Sequence, residues 1–258
     1  VIEPIVFYGI RIGWDVLLQY LSVCVLLGIT IFDYYKTKSF KCTYQFSGLA
    51  IVLLLIGRGT RYLWIILENH LTGYFSLSEN SFVSALDKVD QAERWYLAIL
   101  VCSFLLLLIA KSNFKNRNNI LVGFDIVIIN ISLCLAISKL GCFLSGHGCY
   151  GTITSMPWGC HFKNGQNPSL FKAHPTPLYD MFVHLCLYSY LKYKKYYLTN
   201  PGHSSFLLLA IISFYNILIE VIRTNPVVIY KITMVQIVYI PILIFSLQGL
   251  ITNQKSKR

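Results

Sequence analysis

Apolar runs of about bilayer length recur along the chain, separated by short segments in which lysine and arginine collect. Crossing the hydrocarbon takes roughly 20 mainly apolar residues in a helix. Seven runs fit that pattern: about Ile12 to Phe32, Phe46 to Leu67, Trp95 to Ala110, Ile120 to Leu140, Pro177 to Leu191, Ser205 to Ile222 and Ile232 to Ile251. The expected fold is therefore an all-α integral membrane protein of seven transmembrane helices. It forms one domain over residues 1–258, with extracytoplasmic loops at about 68–94 and 141–176.

The polar gaps set an orientation. Lys36, Lys38 and Lys41 follow the first run, and Lys111, Lys115 and Arg117 follow the third. Lys192, Lys194 and Lys195 follow the fifth, and Lys255, Lys257 and Arg258 follow the last. With seven crossings, all four clusters fall on one side, which the positive-inside rule assigns to the cytoplasm. The N-terminus is then outside, the C-terminus cytoplasmic, and the loop after the fourth run extracytoplasmic.

Composition changes this picture little. The chain is 55% hydrophobic and 13% charged, against about 25% charged in an ordinary soluble domain. The net charge of +11 would fit nucleic acid in a soluble protein. Here the charge sits between the apolar runs, so a membrane surface is the expected partner and nucleic acid is not. Neither a cleaved signal peptide nor an added soluble domain is expected. Cys24, Cys102, Cys134 and Cys186 lie within apolar runs, where free cysteine acts as a small hydrophobe.

Candidate chemistry gathers at the outer ends of the spans. "GCFLSGHGCYG" (residues 141–151) crowds glycine, cysteine and histidine together and is soon followed by "MPWGCHF". Cys142, His147, Cys149, Cys160 and His161 are all able to bind a metal, but their spacing fits neither half of the common zinc patterns, so no metal is expected. A disulfide, Cys142–Cys149 or Cys149–Cys160, stays open for an oxidising face. Arg58 and Arg61 lie in the outer half of the second run, Lys139 ends the fourth, and His174 precedes the fifth. Glu220 and Arg223 end the sixth, three residues apart. Any one of these could be a snorkelling side chain or a structural ion pair. Gathered at one depth, they describe a cationic cavity for an anionic lipid: arginine offers phosphate a planar fork, lysine a point charge, and histidine a mobile proton.

These residues carry a resemblance to the prolipoprotein diacylglyceryl transferase family. "EPIVFYGIRI" is similar to the family's opening Trp-Tyr-Gly segment, with Tyr8 and Gly9 in place, and "GTRYLWIILEN" to its Gly-x-Arg segment, with Arg61 and Asn69. "KLGCFLSGHGCYG" resembles its Gly-Arg-x-Gly-Asn signature, "HPTPLYD" its His-Pro-x-x-Leu-Tyr-Glu, and "FYNILIEVIRTNP" its Glu-x-x-Arg segment. "TMVQIVYIPIL" resembles its last, glutamine-bearing span.

The resemblance implies transfer of the diacylglyceryl group of phosphatidylglycerol, or a related anionic phospholipid, to the lipobox cysteine thiol of a lipoprotein precursor peptide. It implies no cofactor and places the chain in the bacterial inner membrane, as a multi-pass protein. On this reading Arg61, Lys139 and Arg223 hold phosphate and Glu220 orients Arg223. His147 and His174 are base candidates, although His174 could instead cap the helix that follows it. Tyr8 and Asn69 line the substrate site, and Gly141, Gly146 and Gly151 let the backbone approach a headgroup.

Departures accompany the likeness. Lys139 stands for the signature arginine, Cys142 for its asparagine, and Asn216 for a usual arginine. "ENSFVSALDK" holds no histidine where the family carries His-Gly. They admit an alternative, a catalytically diverged relative that binds lipid or lipoprotein as a subunit of a membrane complex.

Overall fold

The computed structural model describes residues 5–7, 10–12, 14–37, 117–146, 149–163, 165, 168–225, 227–229 and 232–255. The second and third expected spans lie outside the described residues, and with them Arg58, Arg61 and Asn69. Tyr8 and His147 also lie outside them.

The described chain is mostly helical. Strands β1 (Ile5–Phe7) and β2 (Ile10–Ile12) precede helix α1 (Trp14–Thr37). Helices α2 (Arg117–Ser145), α3 (Thr176–Lys194), the single turn α4 (Tyr196–Thr199) and α5 (His203–Ile219) follow. Strands β3 (Val227–Ile229) and β4 (Ile232–Thr233) then lead into α6 (Met234–Lys255). The all-helical expectation is corrected at these strands. β1 pairs antiparallel with β2 and β3 with β4, where β-branched residues such as Val227, Val228 and Ile229 favour an extended backbone.

Two described helices, α2 and α6, are long and apolar enough to cross a bilayer. α2 has 29 residues, about 44 Å at 1.5 Å per residue, longer than the hydrocarbon is thick. It packs against α1 on one side and α3 on another, while α5 packs against α6. Leu121, Leu191, Phe206 and Ile242 fill the centre and are at most 1% exposed. α6 lies so close to α5 that a Cβ at Gly249 would collide with the Phe206 ring.

Polar residues fix how the helices run. Asp33, near the end of α1, meets Lys192, near the end of α3, at 2.5 Å, and Asn130 of α2 donates to the same carboxylate at 3.1 Å. α1 and α3 therefore finish on the same side of the bundle. Lys139, near the end of α2, reaches Asp180, near the start of α3, at 3.3 Å, so α2 runs against both. At the opposite end of α2 from Lys139, the fully buried Asp125 caps α5. It accepts from the Gly202 N–H at 2.8 Å, the Ser205 N–H at 2.7 Å and the Ser205 hydroxyl at 2.6 Å. It thereby serves donors that the helix itself leaves unpaired.

Candidate functional site

The local breaks in the helices build the site. α2 ends where Ser145 Oγ donates back to the Gly141 carbonyl at 2.9 Å and buried Gly146 turns the chain with φ +65°, a left-handed terminator that suits glycine. The chain then forms a compact loop. The Gly151 N–H donates to the His174 carbonyl at 2.8 Å, and the His174 N–H to the Thr152 carbonyl at 3.0 Å. The Thr152 N–H donates to the Ile222 carbonyl at 2.8 Å. Gly151 is buried where a Cβ would collide with that carbonyl oxygen. Gly141 is likewise buried within α2. Gly146 thus serves the turn and Gly151 the close approach of the two backbones.

α5 stops at Ile219 and tightens. The N–H groups of Val221, Ile222 and Arg223 donate to carbonyls three residues back, at 3.2, 3.0 and 3.2 Å, the i→i+3 pattern of a closing helix end. Arg223 has thus left the helix and forms an antiparallel bridge with Gly151. The ion pair expected of Glu220 and Arg223, three residues apart, is present at 3.6 Å, although Arg223 lies past the end of α5.

Arg223 also reaches Asp180, its closer partner. Its Nη2 donates to both Asp180 carboxylate oxygens, at 2.6 and 2.5 Å, and Nη1 donates to Asn216 Oδ1 at 3.3 Å. Tyr215 donates its hydroxyl to Asp180 Oδ1 at 2.8 Å. Lys139 Nζ is the third group on this carboxylate, at 3.3 Å from Oδ2. Glu220 Oε2 stands 3.6 Å from Arg223 Nη1. Its other oxygen accepts from Asn225 Nδ2 at 2.6 Å. Two cations and two carboxylates therefore balance in a largely dry cluster. Lys139 is its most open charge, with a side chain 20% exposed against 11% for Arg223, 5% for Asp180 and none for Glu220.

His174 is tied into the loop by backbone bonds to Gly151 and Thr152. Its Nδ1 lies 3.1 Å from the Tyr179 hydroxyl. It does not cap α3: the capping position is Pro175, with no side-chain cap. Thr176 anchors the loop by donating its hydroxyl to the Cys149 carbonyl. Cys142, Cys149 and Cys160 are thiols, with no disulfide among them. Behind the cluster, one turn beyond Asp180, His184 Nδ1 lies 3.1 Å from Ser132 Oγ.

Of the residues expected from sequence, the structure brings together Lys139, Glu220, Arg223, His174 and Gly151. The sequence reading passed over Asp180, Tyr215 and Asn225, all three within or beside the quoted motifs. A signal for Asp180 was present: it is the sole carboxylate from Ile126 to Ile219. Cations gathered in an apolar bundle require a counter-ion.

A profile of the prolipoprotein diacylglyceryl transferase family matches residues 5–252. The chain is 25% identical over 264 residues to the phosphatidylglycerol–prolipoprotein diacylglyceryl transferase of Rickettsia akari (strain Hartford), covering 95% of this chain and 94% of that one. The enzymes of the same name from Rickettsia felis and Rickettsia bellii are 28% and 26% identical, over 51% and 54% of this chain and 52% and 55% of theirs. No solved structure matches. A match over nearly the whole length shows that the chain belongs to the prolipoprotein diacylglyceryl transferase family of bacterial membrane enzymes.

Proposed function

We propose that the protein transfers the diacylglyceryl group of phosphatidylglycerol, or a related anionic phospholipid, to the lipobox cysteine of a lipoprotein precursor. The reaction takes place at the outer leaflet of the inner membrane. The acceptor sulfur attacks the glycerol carbon that bears the phosphate ester. A sulfur–carbon bond forms as the carbon–oxygen bond breaks, and its electron pair leaves on the oxygen of glycerol phosphate. The thiol proton passes to a base, for which His147 and His174 are the candidates.

One observation carries the assignment of roles: Lys139 and Arg223 share Asp180, and they share it unequally. Arg223 is held by both carboxylate oxygens and by Asn216. Lys139 makes the longer, single contact and is the more exposed. An incoming phosphate competes for Lys139 first, because turning that ammonium toward the lipid breaks the least. Arg223 keeps Asp180 neutralised in the meantime, and Tyr215 keeps its hydrogen bond to it. Lys139 is therefore the headgroup cation, joined by Arg61, and Arg223 the group that holds the cluster together. Tyr8 and Asn69 complete the substrate site. The glycines at 141, 146 and 151 let the chain turn close to the headgroup.

The seven-span arrangement, N-terminus outside and C-terminus cytoplasmic, belongs to the same proposal. Its support is that α1 and α3 finish together at Asp33 and Lys192 while α2 runs against them. The test is transfer from labelled phosphatidylglycerol to a lipobox peptide in proteoliposomes, comparing the intact protein with Lys139→Ala and His147→Ala. Loss of transfer in both variants supports the reading. No transfer by the intact protein, where the Rickettsia akari relative is active, overturns it and favours a lipid- or lipoprotein-binding subunit.

A further inference from the structure

The loop between α2 and α3 carries apolar side chains that the ion cluster does not use. Within it, residues 151–154 run antiparallel to 172–174. Ile153 bridges Ala173, the Thr154 N–H donates to the Lys172 carbonyl at 2.8 Å, and Cys160 bridges Ala173 from the other side. This pairing sets the turn after Thr154 beside the turn before Lys172. The first turn shows Ile153 at 67% exposure, Met156 at 47% and Trp158 at 55%; the second shows Leu170 at 82% and Phe171 at 64%. Exposures this high belong to protruding side chains rather than to the walls of a groove. A cluster of five is more than scattered surface hydrophobes require.

Within this loop the charges have one sign. No aspartate or glutamate occurs from Ile126 to Tyr179, and Lys163 and Lys172 are both exposed. Tryptophan with lysine is the pairing that favours the headgroup layer, the ring lying among the glycerol backbones and the ammonium among the phosphates. The loop is also rooted at the ends of the helices. Gly151 bridges Arg223, and the Thr176 hydroxyl holds the Cys149 carbonyl. Its turns are thus tethered where the helices leave the apolar layer. A fluid, anionic lipid surface fits five convex apolar side chains and two lysines better than a peptide of fixed sequence does.

We propose that the paired turns at 153–158 and 170–172 form an interfacial foot, seated in the anionic headgroup layer of the leaflet that supplies the site's lipid. The foot would fix the height of the Lys139–Asp180–Arg223 cluster relative to the phosphates it receives. The proposal rests on the functional reading only in naming that leaflet.

The test uses the full chain in vesicles of equimolar phosphatidylglycerol and phosphatidylcholine. The contribution of Trp158 to the fluorescence is taken as the difference between the intact protein and Trp158→Phe. Lipids brominated near the carbonyl end of the acyl chain are expected to quench that contribution about twofold, with protection from aqueous iodide. Leu170→Ser with Phe171→Ser is expected to weaken the quenching while the helical circular dichroism stays unchanged. Full access of Trp158 to iodide without bromolipid quenching overturns the proposal. So does a change in its emission on adding lipobox peptide with no response to lipid. Transfer measured in the same vesicles separates the two readings: transfer without quenching overturns the foot alone. Quenching without transfer supports the foot and overturns the reaction.

Discussion

Arg223 donates to both carboxylate oxygens of Asp180, 43 residues earlier in the chain, and pairs more loosely with Glu220, three residues away, at 3.6 Å. This long-range pair ties the end of α5 to the start of α3. Lys139 adds the end of α2, so one carboxylate joins three helices.

Removing that carboxylate leaves two cations with Glu220 alone to balance them in a mostly dry setting. Asp180→Ala is expected to lower stability by about 3–5 kcal/mol, the usual cost of stranding a buried charge. Thermal unfolding in detergent measures it. Adding Lys139→Ala to Asp180→Ala should restore part of the loss, because it removes one of the stranded charges. Additive losses would count against the shared-carboxylate arrangement.

Lys139 separates from Arg223 in kinetics. A charge-assisted contact to phosphate is worth about 1.5–3 kcal/mol, so Lys139→Ala should weaken use of phosphatidylglycerol by roughly 10- to 100-fold. Lys139→Arg keeps the charge and should lose less than Lys139→Ala. Steady-state kinetics with lipid as the varied substrate checks the order, and an equal loss in both variants would contradict it.

Much of the bundle was legible in the sequence. The apolar runs centred α2, α3, α5 and α6 correctly, because burial along these helices depends on composition averaged over many residues. Their ends were not legible. Glu220 and Arg223 sit three apart whether the chain stays helical or tightens, and it is the shortened bonds of residues 221–223 with the bridge from Gly151 that show it has left the helix. Asp180 was missed for a different reason. Cations at one depth draw attention, yet the carboxylate that makes their burial tolerable lies on another segment. The strand pairs before α1 and α6 are only two or three residues per strand, too short to leave a periodicity.

Asp125 is the counterpart of Asp180 in architecture but not in function. It lies 14 positions before Lys139, about 21 Å along a helix, and it caps α5 through three hydrogen bonds. Asp125→Ala should cost about 2 kcal/mol or more in stability, the loss of a cap added to buried donors left unpaired. The Michaelis constant for lipid should stay unchanged. A lower melting temperature with an unaltered constant fits this role, and the reverse pattern would not.

Gly151→Ala tests the join between the loop and the end of α5. The added methyl collides with the Ile222 carbonyl oxygen, so the segment carrying Arg223 must shift. Activity should fall more than stability, since a displacement of about 1 Å at a positioning group costs on the order of 100-fold in rate. Unaltered turnover would place the site elsewhere.

The most direct measurement is transfer of labelled diacylglycerol from phosphatidylglycerol to a lipobox peptide, followed side by side for the intact protein, Lys139→Ala and Lys139→Arg. Transfer by the intact protein, roughly 10- to 100-fold less efficient use of lipid after Lys139→Ala, and partial recovery with Lys139→Arg are the expected results. Undiminished transfer by Lys139→Ala would contradict the role of Lys139 as the headgroup cation.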